Sequence, residues 1–307
     1  MKTLSYSLLD VFTTTPFGGN QLAVFYEELP LGDERMQQIA RELNLSETVF
    51  VQPPSNEANH KRLRIFTPQM ELPMAGHPTI GTAFLLADKG LIDVKEGENS
   101  WVLEEGVGDI PVTVTQKDGT ITSVQMQQPV PQFGSVFDDR KLAAELLSLS
   151  QEDLSEDLPV QTVSSGVPFL FIPVRSLDAM KKIQFRMDVW EQHFSLNDET
   201  QHIFAFSTET EHATSHVHSR MFAPAMGIAE DPATGGASGP LGAYLVKNGL
   251  VQPAGDQHYM IISEQGLEMG RPSFIEIEVQ TDAKQITQVK IGGPSIIVGA
   301  GELYIEE

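Results

Sequence analysis

Glu71-Leu-Pro-Met-Ala-Gly-His-Pro-Thr-Ile-Gly-Thr-Ala-Phe-Leu-Leu86 is the stretch around which the chain is organised. A Gly-His-Pro-Thr turn runs into apolar residues at helical spacing, Ile80, Ala83 and Phe84 among them. Pro78 suits a first helical turn, where a missing N–H costs nothing. Gly76 has no Cβ and lets a ligand approach the backbone. Free N–H groups and the positive end of the helix dipole favour an anion there, so the stretch predicts a carboxylate site with His77 at its lip.

A second copy follows. Glu230-Asp-Pro-Ala-Thr-Gly-Gly-Ala-Ser-Gly-Pro-Leu-Gly-Ala-Tyr-Leu245 has the same plan, and both segments close alike, in Lys89-Gly-Leu91 and Asn248-Gly-Leu250. Aligning those endings sets Gly76 opposite Gly235 and His77 opposite Gly236. Upstream, Arg64-Ile-Phe-Thr-Pro68 parallels Arg220-Met-Phe-Ala-Pro224, and Val49-Phe-Val51 parallels Ile203-Phe-Ala-Phe206. The period is too long for a solenoid unit. It predicts two similar lobes facing each other across a cleft, 1–128 and 129–307, with the lobe joined by the last strand left open.

Strands are expected at 4–12, 21–26, 48–51, 62–67 and, as two or three antiparallel runs, 101–127. Residues 32–43 read as an amphipathic helix that ends at Asn44, which places Glu47 at a helix-to-strand junction. In the second half, 161–172 reads as a loop and strand, 139–149 and 187–195 as helices, and 257–304 as strands. His212, His216 and His218 read as a surface cluster on a strand rather than a metal site, because no carboxylate pattern completes them.

Composition narrows the chemistry. The 307 residues carry a formal charge of −22, with 20 Lys and Arg against 42 Asp and Glu, and 40% are hydrophobic. Such a balance argues against nucleic acid. With zero Cys, thiolate metal sites and cysteine bases are excluded. No apolar run reaches the roughly 18–20 residues of a membrane helix, and the early Asp10 interrupts any secretory core, so a cytoplasmic protein is expected. There is no Gly-x-Gly-x-x-Gly fingerprint after a strand, no Walker lysine and no Gly-x-Ser-x-Gly elbow. Glu47, His77 and Asp231 remain as titratable groups to ring a small acid and move a proton at carbon, without metal or cofactor. The bland alternatives are a surface carboxylate for Glu47, a capping histidine for His77 and a turn-forming Asx residue for Asp231.

The matching pieces Asp10-Val-Phe-Thr13, Pro16-Phe-Gly-Gly-Asn20, Leu45-Ser-Glu-Thr48, Arg64-Ile-Phe-Thr-Pro68, Gly76-His-Pro-Thr79, Asp231-Pro-Ala-Thr-Gly235 and Gly270-Arg-Pro-Ser273 span nearly the whole chain in order. Together they resemble the phenazine biosynthesis PhzF-like family. The resemblance implies an α+β fold of the diaminopimelate epimerase-like kind: two similar lobes related as a pseudo-twofold repeat, each a rolled β-sheet around a central helix. It implies a cofactor-independent isomerase, often a homodimer, acting on a small carboxylate-bearing substrate. By the same resemblance Glu47 matches the general acid/base, His77 and Asp231 line its pocket, and Asn20, Gly76, Thr234, Gly235 and Gly236 match substrate-binding positions. Two residues depart from the pattern: Gly236 stands where a Ser is common, and Gln21 replaces the usual proline. Epimerases sharing this fold use a pair of cysteines, which this chain lacks. A binding protein on the same scaffold and a cysteine-free epimerase are the alternative readings.

Overall fold

A computed structural model describes residues 2–27 and 30–305. The chain divides into two units, Met1–Gln127 with Gly292–Glu307, and Gln128–Ile291.

The first unit runs β1 (Lys2–Val11), β2 (Asn20–Phe25), α1 (Asp33–Leu43), β3 (Glu47–Gln52), β4 (Lys61–Phe66), β5 (Glu71–Leu72), α2 (Gly76–Asp88), β6 (Gly97–Glu105), β7 (Gly108–Lys117) and β8 (Thr120–Gln128). In α1 the buried Met36, Ile39 and Ala40 share one face, and Asp33 and Glu34 sit at the positive end of the dipole. Asn44, left-handed at φ 50, ends the helix and turns the chain into β3. α1 covers an apolar cluster with Leu4, Phe25, Phe50 and Phe66.

α2 has no polar face. Eleven of its residues are buried, Gly76 through Ala83 and Leu85 through Ala87. It packs on β1, β2, β3 and β7, so this unit's strands wrap around it. Contact with the sheet is close enough that a Cβ on Gly81 would meet Val11 Cγ2 at 2.6 Å and Leu22 Cδ2 at 2.7 Å.

The second unit runs β9 (Gln132–Val136), α3 (Arg140–Leu146), β10 (Gln161–Ser164), β11 (Pro168–Pro173), α4 (Leu177–Lys182), α5 (Met187–His193), β12 (Ile203–Ser207), β13 (Val217–Ala223), β14 (Ile228–Asp231), α6 (Gly235–Lys247), β15 (His258–Gln265), β16 (Ser273–Asp282) and β17 (Gln285–Gly293). The last strand, β18 (Ser295–Ile305), belongs to the first unit, where it pairs antiparallel with β1. β11 and β12 are apolar on both faces. Leu170, Ile172, Ile203 and Ala205 pack on α3, α4 and α5, while Phe171 and Phe206 meet Tyr244 of α6.

The pairing order is the same in both units. β1 with β2, β3 with β4, β4 with β5 and β6 with β7 are antiparallel, while β2 with β3 and β4 with β6 are parallel. β10 with β11, β12 with β13, β13 with β14 and β15 with β16 are antiparallel, while β11 with β12 and β13 with β15 are parallel. Side chains repeat too. His60 Nδ1 accepts the Val102 N–H at 3.2 Å, and His216 Nδ1 accepts that of Ile262 at 3.1 Å. Glu104 accepts the N–H groups of Ser55 and Asn56, and Glu264 those of Glu211 and His212. This is an α+β fold built twice from one plan.

Several elements differ from the sequence expectation, among them the short strands β5 and β14. β9 and α4 are additional, and 161–172 is a two-stranded hairpin rather than a loop and one strand. The histidines are not a surface cluster on one strand either. His212 and His216 are exposed and precede β13, whereas His218 is fully buried. Its Nδ1 lies 2.9 Å from Glu264 and its Nε2 2.9 Å from Glu268, so both ring nitrogens are occupied by carboxylates. Burial opposes charge there, but the hydrogen bonds to Glu264 and Glu268 outweigh it and raise His218 to about 9.

Candidate active site

Glu47 is the first residue of β3, beside Leu22 of the parallel β2, and it is buried at 7% exposure. His77 is the second residue of α2 and is 5% exposed. The structure brings the two together, with His77 Nε2 3.2 Å from Glu47 Oε2. The contact is close but not aligned as a hydrogen bond. Burial lowers the His77 pKa to about 3, against a hydrogen bond to the Gln21 backbone that favours the charged ring. The ring is therefore neutral, and the close approach is not an ion pair near pH 7. Only a carbonyl acceptor favours imidazolium, and Nε2 has no hydrogen-bond partner. Nδ1–H is thus the donor to Gln21, and Nε2 turns a lone pair toward Glu47.

The rest of this region is held by backbone. Asn20 is fully buried at the start of β2, opposite Val11. The loop before it is pinned by the Phe17 N–H, which donates to Asp10 Oδ2 at 2.7 Å, and by a glycine that has no substitute: at φ 62, a Cβ on Gly19 would meet the Val11 carbonyl at 2.3 Å. Gly76 opens α2 after Ala75, an N-cap without a side-chain acceptor.

In the second unit Asp231 ends β14, and Thr234 occupies the N-cap position of α6 without a side-chain capping bond. The Thr234 hydroxyl donates to Asp231 Oδ2 at 2.5 Å. Gln265, the fully buried last residue of β15, donates to the Asp231 carbonyl at 2.7 Å and to Thr234 Oγ1 at 3.0 Å, and its Oε1 accepts the Thr234 N–H at 3.1 Å. Gln128 donates to the Gly235 carbonyl at 3.0 Å. Gly236 is half-buried, and a Cβ there would meet nothing within 4 Å. Pro240, four residues on, withdraws the N–H that would bond the Gly236 carbonyl in a regular helix.

Sequence reasoning missed Gln265, the Gln21 backbone and Glu105, described below. The repeat itself carried the signal for two of them, since Glu104-Glu105-Gly106 and Glu264-Gln265-Gly266 recur at matching places after the two glycine-opened helices.

A family model described as phenazine biosynthesis-like protein matches residues 9–301. The chain belongs to this family. Among curated relatives of this phenazine biosynthesis-like chain, an uncharacterised isomerase of Mesorhizobium japonicum is 36% identical over 99% of the chain and 100% of its own length. The trans-2,3-dihydro-3-hydroxyanthranilate isomerase of Pseudomonas fluorescens is 33% identical over 98% of the chain and 99% of its own length. Of solved structures, a PhzF-family protein of Bacillus anthracis superposes with a TM-score of 0.89 at 30% identity, over 99% of this chain and 100% of that one. A probable proline racemase of Agrobacterium radiobacter, at 12% identity and a TM-score of 0.66, shares the fold alone. The chain is an isomerase of the phenazine biosynthesis-like family. Among the described residues no helix is long and apolar enough to cross a membrane.

Proposed function

We propose that this isomerase moves a proton between two carbons of one small, carboxylate-bearing substrate, with Glu47 as the general acid/base. The carboxylate of Glu47 takes a proton from one carbon, the electrons shift along the substrate, and the resulting carboxylic acid returns the proton at a second carbon. Atoms and charge balance within the substrate, so no redox partner is consumed. The observation that carries the reading is the buried pair of Glu47 Oε2 and the neutral His77 Nε2 at 3.2 Å. A neutral imidazole can accept a hydrogen bond from the Glu47 acid or orient it, without drawing the carboxylate into a permanent ion pair. The chain has no cysteine, so a carboxylate is left to do this work.

Asp231 is proposed as a substrate contact, oriented by the Thr234 hydroxyl and by Gln265. The N–H groups opening α2 are proposed to receive the substrate carboxylate, since that helix start is not capped by a side chain. A homodimer is proposed on the family resemblance.

The Pseudomonas fluorescens relative is named for trans-2,3-dihydro-3-hydroxyanthranilate, which makes that compound the first probe. Incubation in D2O, followed by NMR, is expected to show deuterium at one substrate carbon together with a shifted double bond. A panel of related cyclic amino and hydroxy acids extends the test. Binding of these acids without deuterium incorporation, in the wild-type protein, would contradict the reading.

A further inference from the structure

Glu105 ends β6 and is buried at 6% exposure, away from the Glu47 and His77 pair in sequence but attached to the same helix turn. One of its carboxyl oxygens contacts the hydroxyl of Thr79. That hydroxyl also lies 2.5 Å from the carbonyl of Ala75, the N-cap of α2. Thr79 has one hydroxyl proton and stands between two oxygens. A carbonyl cannot donate, so both contacts are satisfied only when Glu105 brings a proton of its own.

The second unit sets the corresponding residues at its own helix start, with Gln265 bonding the N-cap Thr234 rather than Ser238. Ser238, four residues after the α6 N-cap as Thr79 is four after that of α2, donates to the Thr234 carbonyl at 2.8 Å. Gln265 ends β15 as Glu105 ends β6, and it serves the helix start as donor and acceptor at once, through Nε2 to Thr234 Oγ1 and through Oε1 from the Thr234 N–H. The next residue in each copy is a glycine pressed on a proline. A Cβ on Gly106 would meet Pro73 Cα at 2.9 Å, and one on Gly266 would meet the Pro232 carbonyl at 2.5 Å. The two sites are copies, and an amide in one corresponds to a carboxyl in the other. A carboxyl offers a donor and an acceptor only when protonated.

We propose that Glu105 is a positioning residue that works as a neutral carboxylic acid, donating to Thr79 and fixing the first turn of the helix that presents His77. The turn from Ala75 to Thr79 contains His77, so the tether sets where Nε2 stands. The Ala75 N–H also bonds this carboxyl. Burial, opposed by the bonds to Thr79 and Ala75, pushes Glu105 up to about 7, and no charged neighbour contributes. The proposal needs no particular substrate and stands apart from the role of Glu47.

Carboxyl-labelled glutamate in the full chain tests it by 13C NMR. Wild type is expected to show a carboxyl titrating near neutrality, far above the ordinary glutamate value of about 4.3, that vanishes in Glu105→Gln. Glu105→Gln supplies the donor and acceptor without a charge, so its Ala75 and His77 amides are expected to keep their exchange protection from pH 6 to 9. Glu105→Ala is expected to lose at least about fivefold protection in that turn, the weight of one hydrogen bond. If Glu105→Ala fails to fold, the comparison of wild type with Glu105→Gln decides alone. A spectrum unchanged near neutrality by Glu105→Gln, or the same loss of protection in Gln as in Ala, would overturn the proposal.

Discussion

Glu47 Oε2 and His77 Nε2 stand 3.2 Å apart in a buried site, with the imidazole neutral and its other nitrogen bound to the Gln21 backbone. The relation predicts how His77 titrates. Its 15N spectrum should report one neutral tautomer, protonated at Nδ1, throughout pH 5–8. A titration near the ordinary 6.5 would contradict the assigned burial.

The same group predicts acid sensitivity. A base whose folded pKa of about 3 lies below its ordinary 6.5 contributes stability that is present above 6.5 and lost as pH falls toward 3. Wild type should lose roughly 2–4 kcal/mol more than His77→Gln between pH 7 and pH 4, read from urea midpoints at each pH.

His218 works in the opposite direction. Its folded pKa of about 9 lies above the ordinary 6.5, so its contribution is present below 6.5 and lost as pH rises through 9. Wild type should therefore weaken between pH 7 and pH 9.5, and His218→Gln should lack that slope. His218→Ala should cost about 3–5 kcal/mol at pH 7, because Glu264 and Glu268 lose their shared counter-charge.

Packing around the first central helix gives another expectation. Gly81→Ala would place a methyl against Val11 and Leu22, whose side-chain atoms lie 2.6 and 2.7 Å from the added carbon. Both side chains are fully buried, so they yield only by distorting the sheet. A loss of about 1–3 kcal/mol is expected by denaturant unfolding, and an unchanged midpoint would show that the helix is less tightly held.

Much of this architecture was legible in the residues. The amphipathic spacing of Met36, Ile39 and Ala40 marked α1, and the paired glycine-opened segments marked both central helices and the repeat. β9 gave no such signal, because it is five mostly exposed residues with no alternation of apolar and polar side chains. α4 spans six residues, too few for a helical period to stand out. The burial of His218 was hidden for a different reason. β13 is covered on both faces, so alternation along the strand does not tell inside from outside. Glu105 and Gln265 lie inside the strand regions expected at 101–127 and 257–304 with nothing to set them apart, and only the helix turns that each one ties reveal their task.

Gly236 invites a gain rather than a loss. Open space surrounds its missing Cβ, so Gly236→Ser should fold without strain and add a hydroxyl at the start of α6. Stability should rise by up to about 1 kcal/mol from the loss of glycine freedom in a helix. A changed KM with kcat held would show that the hydroxyl reaches the substrate, and a fall in stability would contradict the open space.

The most direct measurement is turnover of an accepted substrate by Glu47→Gln, alongside wild type and Glu47→Asp, with deuterium incorporation from D2O read in the same samples. The variant keeps the shape of Glu47 but cannot exchange a proton at carbon. The account predicts that Glu47→Gln retains its fold and a KM near that of wild type while kcat and deuterium incorporation fall by about 10²–10⁴. Full turnover by a folded Glu47→Gln protein, with deuterium still entering at carbon, would contradict it.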